Sequence, residues 1–308
     1  MTSLNAVKPP PGYNQNEVHP SLKNPRGSRL MRKRTTLLIL VSSILAQVVV
    51  RAMPWHIGDR IIREESPLRQ TLLKAYARIE VRFIRFLYWL ENRTFMQSKW
   101  VKFAFYWGGG KLLGERGIVG TVKTLDEMEE FIGSLPEDSL IAVGPCRCRL
   151  ATRACDHPLQ TDIVILTGAP IWLDVFPKDY RIIDKEEATG IVRDSYEQGL
   201  VPMVDRHLYF RGSANYFVIC NCCGCSCILI LGYRLLKEMG LHFIPSTYVS
   251  VIDADKCEAC GRCVEVCAFH ERRIESGQAR VIDCQGCGLC VKFCPNGANS
   301  LVSRQAPG

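Results

Sequence analysis

The sequence predicts an α+β chain in three parts: a helical N-terminal region, a small Cys-rich α/β middle domain, and a C-terminal domain built from a duplicated cysteine motif. Three observations carry this. Arginines and apolar residues recur at helical spacing within residues 66–107. Short uncharged runs alternate with capped helical stretches between about 116 and 245. The 16 cysteines fall into two sets, one between residues 146 and 227 and one between 257 and 294.

A chain of 308 residues has room for two or three domains. Its 47% hydrophobic and 23% charged content is that of a globular protein. The C-x-C and C-C spacings make poor disulfide partners, which points to a reducing compartment and a cytoplasmic location. Of the net charge of +8, residues 1–34 supply most: Lys8, Lys23, Arg26, Arg29, Arg32, Lys33 and Arg34 stand against Glu17 alone. The C-terminal segment is close to balanced, so no nucleic-acid partner is expected.

Residues 1–34 read as a disordered basic tail, rich in Pro, Asn, Ser and Gly without apolar period. Residues 35–115 read as apolar and amphipathic helices. Thr35 to Val50 carries no charge over 16 residues. As a helix it spans about 24 Å, short of the roughly 30 Å hydrocarbon core. A helix in or on a membrane, a helix buried against protein, and an export signal all stay open here. Lys33-Arg34 is a poor twin-arginine signal, and no small-x-small cleavage site follows. Arg78, Arg82 and Arg85 then mark one helix face, with Ile79, Phe83, Phe86, Leu87 and Leu90 on the rest. Trp55, Trp89, Trp100 and Trp107 lie in the same stretch, the composition of interfacial helices. This favours attachment to the cytoplasmic face of a membrane or to a membrane subunit, against an ordinary helix packed on the Cys-rich domain. Trp107-Gly108-Gly109-Gly110-Lys111 lacks the spacing and hydroxyl of a P-loop.

Residues 116–245 form the Cys-rich α/β domain. Thr124 and Glu127 make a capping box for a helix to about Ser134. Ser139–Val143, Asp162–Thr167 and Tyr216–Ile219 read as short buried strands. Asp184 with Glu187 caps a helix to about Gln198, and Ile228–Met239 is a helix stopped by Gly240. Cys146, Cys148 and Cys155 follow the first strand; Cys220, Cys222, Cys223, Cys225 and Cys227 follow the third. Loops leaving the C-terminal ends of neighbouring strands meet at one sheet edge, where α/β folds build sites. This set suits at least one further iron–sulfur cluster. A zinc site or a thiol pair at Cys222-Cys223 are the alternatives. His157 is a spare ligand or a packed histidine; Arg147 and Arg149 either offset thiolate charge or are solvated.

Residues 246–303 hold two copies of C-x2-C-x2-C-x3-C: Cys257, Cys260, Cys263, Cys267, then Cys284, Cys287, Cys290, Cys294 with Pro295. In this run the fourth Cys of each copy ligates the other cluster. Cys257, Cys260, Cys263 and Cys294 therefore form one [4Fe–4S] ligand set, and Cys284, Cys287, Cys290 and Cys267 the other. Val251-Ile252-Asp253 and Val281-Ile282-Asp283 repeat before the motifs, and Gly261 and Gly288 are equivalent. Paired zinc sites are the alternative use of such spacing.

The segment resembles a bacterial-type 2[4Fe–4S] ferredoxin domain. One departure is Ala268, where that family usually has Pro, which predicts a looser turn after Cys267. Residues 140–303 as a whole resemble a family of 4Fe–4S dicluster proteins of anaerobic bacteria, in which two such Cys-rich segments precede a ferredoxin module. Cys222-Cys223-Gly224 is also similar to the Cys-Cys-Gly modules of heterodisulfide-reductase-type subunits, with different wider spacing. These resemblances imply an iron–sulfur electron-transfer protein, or a subunit of a redox complex with redox partner proteins. The other expectation is an oxidoreductase whose catalytic cluster sits in the middle domain. No nucleotide fingerprint or Ser/His/Asp arrangement supports a different chemistry.

Overall fold

The computed structural model describes residues 67–107, 118–207, 218–241 and 243–304. The basic tail, the Thr35–Val50 run with Trp55, and Gly108–Lys111 lie outside these residues, as do Tyr216 and Phe217 of the third expected strand. The described chain is mixed helix and sheet. In order it runs α1 (Pro67–Glu91), α2 (Lys99–Phe105), β1 (Ile118–Val122), α3 (Leu125–Gly133), β2 (Ile141–Pro145), α4 (Arg147–Thr152), β3 (Gln160–Ile165), α5 (Gly168–Val175), β4 (Arg181–Ile183), α6 (Lys185–Glu197), β5 (Val201–His207), β6 (Val218–Cys222), α7 (Ile228–Leu236), β7 (Tyr248–Ile252), α8 (Arg262–Glu265), β8 (Arg272–Glu275), β9 (Gln278–Val281), α9 (Leu289–Lys292) and β10 (Asn299–Ser303).

Six strands form one sheet in the order β1-β5-β6-β3-β2-β4. Every neighbouring pair in it is antiparallel. This corrects the α/β expectation in which the cysteine loops follow neighbouring strands: β3 lies between β2 and β6. The misreading has a physical source. Helices cover both faces of this sheet, so its central strands β2, β3 and β6 are buried on both faces and show no apolar–polar alternation, the pattern usual for parallel strands. Ile141, Val143, Ile163, Ile165, Val204 and Ile219 face α3 and α6. Ala142, Val164 and Val218 face Leu73 and Ala77 of α1 and Ile171 and Trp172 of α5. Burying each large aliphatic of this set stabilises by roughly 1.5–3 kcal/mol.

The caps explain where the helices begin. Thr124 Oγ1 accepts from Glu127 N at 3.1 Å, and the Glu127 carboxylate accepts from Thr124 N at 2.8 Å. Asp184 Oδ1 accepts from Glu187 N at 2.8 Å. α7 passes into a 3₁₀ turn that ends at Gly240, φ 98°.

α1 is an integral cover of the sheet. Leu73, Ala77, Glu80 and Ile84 are buried at helical spacing. Arg78, Arg82 and Arg85 point away, and Arg85 Nε donates to Ala151 O. The outer surface of α1 and α2 leaves Ile79, Phe86, Trp89, Phe103 and Trp107 exposed, with Trp100 82% accessible. No helix among the described residues is long and apolar enough to cross a membrane.

Glu127 also accepts from Thr247, through its N–H at 3.1 Å and its hydroxyl. One carboxylate thus caps α3 and anchors the start of the C-terminal segment. Thr124→Ala should lower stability by about 1 kcal/mol, the usual value of an N-cap. Glu127→Ala should cost at least twice that in denaturant titrations, and equal losses would show that the Thr247 link contributes nothing.

Candidate metal centres

β2 and β6 each pair antiparallel with β3, so they run in the same direction and release their loops at one edge. Cys146 immediately follows β2 and is the N-cap of α4; its N–H donates to Leu159 O at 2.6 Å. Arg153 ends α4 with φ 50°, a left-handed residue that turns the chain back towards Cys155. On the other loop, Cys220 and Cys222 lie on β6, Cys223 and Cys225 on the turn after it, and Cys227 caps α7.

The eight middle-domain thiols form two groups. Cys148 contacts Cys227, Cys227 lies 3.3 Å from Cys222, and Cys222 contacts Cys220. This row and Cys146 line a cavity beneath α1, which also receives Cys223, Glu80, Asp162 and Asp205. The second group is Cys155, Cys223 and Cys225, whose sulfurs all lie within 4.8 Å of one another. Cys155 Sγ is 3.7 Å from Cys223 Sγ and 3.3 Å from Ser226 Oγ. This three-cysteine group is placed to bind metal. His157 is half-buried nearby but not part of the group.

In each group the hydrogen bonds converge on one thiol and lower its pKa. Hydrogen bonds from Cys223 and Cys225 hold Cys155 far below the usual thiol range. Hydrogen bonds from Cys148 and Cys222 do the same for Cys227. Such donation from thiol to thiolate is charge-assisted and strong.

Arg147 and Arg149 are buried, not solvated. Arg147 Nε donates to Glu80 Oε2 at 3.0 Å, and its guanidinium lies 4.1 Å from the Phe176 ring centroid. Arg149 donates to Pro158 O, to Thr161 Oγ1 at 2.6 Å and to Asn221 O at 2.7 Å, and it also meets Cys146. Each arginine therefore ties the Cys146–Cys148 turn to the rest of the domain. Burial pushes the Glu80 carboxyl up to about 7 although Arg147 opposes it, and pushes Asp205 up to about 7.

In the C-terminal segment β7 pairs with β10, and β8 with β9. The two motif copies fold alike. Gly261 (φ 79°) and Gly288 (φ 83°) each open a four-residue helix, a left-handed position that glycine adopts without strain. Cys257, Cys260, Cys263 and Cys294 line one cavity. Cys267, Cys284, Cys287 and Cys290 gather separately, close enough that their charges bear on one another. Backbone N–H groups point at the sulfurs: Ala298 N to Cys294 at 3.2 Å and Glu271 N to Cys267 at 3.4 Å, each four residues on. Ser250 N approaches Cys284 at 3.4 Å. Arg272, buried, donates to Asn299 Oδ1 and to Cys263, and its charge faces Cys290 and Cys284.

The two cysteine regions meet at a tight seam. Arg234 donates to Gly224 O at 2.8 Å and to Ala268 O. A Cβ on Gly224 would collide with that guanidinium and come within 3.3 Å of the Ala268 backbone. Ala268 is 6% exposed; packing at the seam holds the turn that its sequence alone suggests is loose. Tyr233, Phe243 and Phe269 form an aromatic cluster alongside, and the Tyr233 hydroxyl lies within hydrogen-bond distance of the Glu271 (2.9 Å) and Asp283 (3.0 Å) carboxylates.

Sequence reasoning missed Glu80, Asp162, Asp205, Arg234 and Arg272. Nothing in the local sequence sets these charges apart, and only their burial marks Glu80, Asp162, Asp205 and Arg272. Comparison of the chain with protein-family models, curated proteins and solved structures finds no match.

Asp162 gives a pH test of this buried charge. Tyr180 donates to its Oδ2 at 2.5 Å, yet burial raises its pKa from 3.8 to about 6. The folded chain holds that proton more tightly than the unfolded one. The contribution is therefore full below about pH 4 and is lost as pH rises through 6, a change of about 3 kcal/mol. In denaturant titrations under reductant, wild type should lose stability relative to Asp162→Asn across this window. A difference that stays flat or grows with pH would contradict the assignment.

Proposed function

We propose that the chain is an iron–sulfur electron-transfer protein, or the electron-transfer subunit of a redox complex. Cys257, Cys260, Cys263 and Cys294 hold one [4Fe–4S] cluster, and Cys267, Cys284, Cys287 and Cys290 a second. The observation that carries this reading is the crossed grouping. Cys294 of the second copy lines the cavity of the first, and Cys267 of the first gathers with the second. When bound, such clusters accept and release single electrons at potentials tuned by hydrogen bonds to sulfur and by nearby charge. The chain's own residues suit that role. Backbone N–H groups of Ser250, Glu271 and Ala298 face three of the thiols, and Arg272 places a buried positive charge against both sets.

The quartets differ in exposure. Cys260 is exposed, so the Cys257 set faces external redox partners. Cys267 and Cys287 pack into the core shared with Cys222 and Cys227, so the other set faces the middle domain. There the row of Cys148, Cys227, Cys222 and Cys220, with Cys146, supplies the thiols for at least one further cluster, whose binding requires Cys222 and Cys227, 3.3 Å apart, to separate. The C-x-C and C-C spacings, poor for disulfides, support a reducing cytoplasm. Exposed Trp100, Phe103 and Trp107 beside Lys99 and Lys102 attach it to the cytoplasmic face of a membrane or to a membrane subunit.

A second reading, an oxidoreductase with its catalytic cluster in the middle domain, is favoured by one observation. Glu80 and Asp205, both raised to about 7, share the thiol-lined cavity and can hold protons beside it. An EPR signal that shifts on adding a substrate would select this reading.

Replacing Cys267 by Ala tests the crossed assignment. Anaerobically purified Cys267→Ala should lose the cluster of Cys284, Cys287 and Cys290 and retain the other, lowering the iron count by about four per chain. Selective loss of the Cys257-Cys260-Cys263 cluster, read by EPR, would show the assignment to be wrong.

A further inference from the structure

Within the middle domain, the geometry points to a separate site for one thiophilic divalent ion, of the zinc type, held by Cys155, Cys223 and Cys225. It rests on the thiol reading of this domain but does not require that any cluster be bound. The distances separate it from a cubane site. Thiolates sharing one tetrahedral ion with metal–sulfur bonds of about 2.3 Å lie about 3.8 Å apart. Cys155 and Cys223 are 3.7 Å apart, and all three sulfurs fall within 4.8 Å. Thiolates on a cubane each bind a different iron and point outward from a common centre, so they sit farther apart.

The rest of the molecule supplies the comparison. Among the described residues this is the one group of three His, Cys, Asp or Glu ligand atoms drawn so close. The C-terminal quartets surround their spaces without such an approach. In the buried row, thiols touch in succession and no three converge.

The surroundings suit a single ion. Ser226, fully buried, places Oγ 3.3 Å from Cys155 Sγ, and the His157 backbone N–H also hydrogen-bonds that sulfur. Both contacts orient the Cys155 thiolate, as outer partners of metal ligands do. Cys155 and Cys225 are partly exposed while Cys223 is buried. The fourth position therefore faces solvent and takes water or an incoming ligand, the arrangement of three-ligand zinc sites.

The ion links two distant parts of the chain. Cys155 lies on the loop after α4, and Cys223 and Cys225 lie 68 or more residues later. Between the latter two is Gly224, where any Cβ would come within 3.3 Å of the Ala268 backbone beside Cys267. Binding at the trio fixes the turn that forms the seam with the C-terminal segment.

The test uses full-length protein purified anaerobically, with zinc, iron and labile sulfide counted per chain and zinc K-edge absorption recorded. One zinc with three sulfur neighbours near 2.3 Å is expected. Cys155→Ser and, separately, Cys225→Ser should each weaken zinc binding at least tenfold with the iron count unchanged. Loss of about four irons in Cys155→Ser would assign the trio to a cubane and overturn the inference. So would wild-type protein without zinc, a zinc bound mainly by nitrogen and oxygen, or a Cys155–Cys223 disulfide in its place. The wild-type spectrum decides the matter even if neither variant folds. Zinc at the trio with no iron anywhere would sink the electron-transfer reading and leave this one standing.

Discussion

β3 is the strand on which the site depends. Because β2 and β6 both pair antiparallel with it, they run the same way and end at the same edge. Two cysteine segments more than sixty residues apart in sequence are thereby delivered to one place. A parallel sheet would achieve the same through crossover helices. Here an intervening antiparallel strand does it, and helices on both faces exclude water from the result.

Gathering thiols in a buried space is costly, because each thiolate loses solvation. The structure offsets this with fixed donors. Arg149 meets Cys146, and neighbouring thiols donate to Cys155 and Cys227. In the C-terminal segment backbone N–H groups and Arg272 take that part. The Glu80–Arg147 pair, 3.0 Å apart and buried, joins the cover helix α1 to the cysteine turn. Breaking such a pair leaves an uncompensated charge, so α1 and the thiol-lined cavity are energetically one unit. The seam through Gly224, Arg234 and Ala268 extends that unit to the Cys267 quartet.

What was legible in the sequence was local. The Thr124 capping box, the Asp184 cap, Gly240 as a helix stop and the equivalence of Gly261 and Gly288 each depend on a few adjacent residues, and each is present. The repeat itself specifies the crossed grouping expected of the C-terminal cysteines, and Cys294 lines the cavity of Cys257, Cys260 and Cys263. The order and direction of the strands were not legible. Ile163, Val164 and Ile165 are all buried, so no alternation revealed which face each residue takes or that the sheet is antiparallel. The split of the middle-domain thiols was equally hidden. Cys222 and Cys223 are adjacent in sequence, but their sulfurs belong to different groups, and only the turn after β6 decides that. Arg147 and Arg149 could be read from the sequence either as partners of the thiolates or as solvated charge, because burial, not residue type, distinguishes a tether from a solvated side chain. Ile79, Phe86 and Trp89 were correctly read as apolar, but α1 turns a different face, led by Leu73 and Ala77, towards the sheet.

The direct measurement is the iron and acid-labile sulfide content of the full-length protein purified without oxygen, read with EPR of the reduced form. The account predicts at least about eight irons and as much sulfide per chain, with signals from more than one interacting [4Fe–4S] cluster. A colourless protein carrying zinc alone, or thiols with no sulfide, would contradict it.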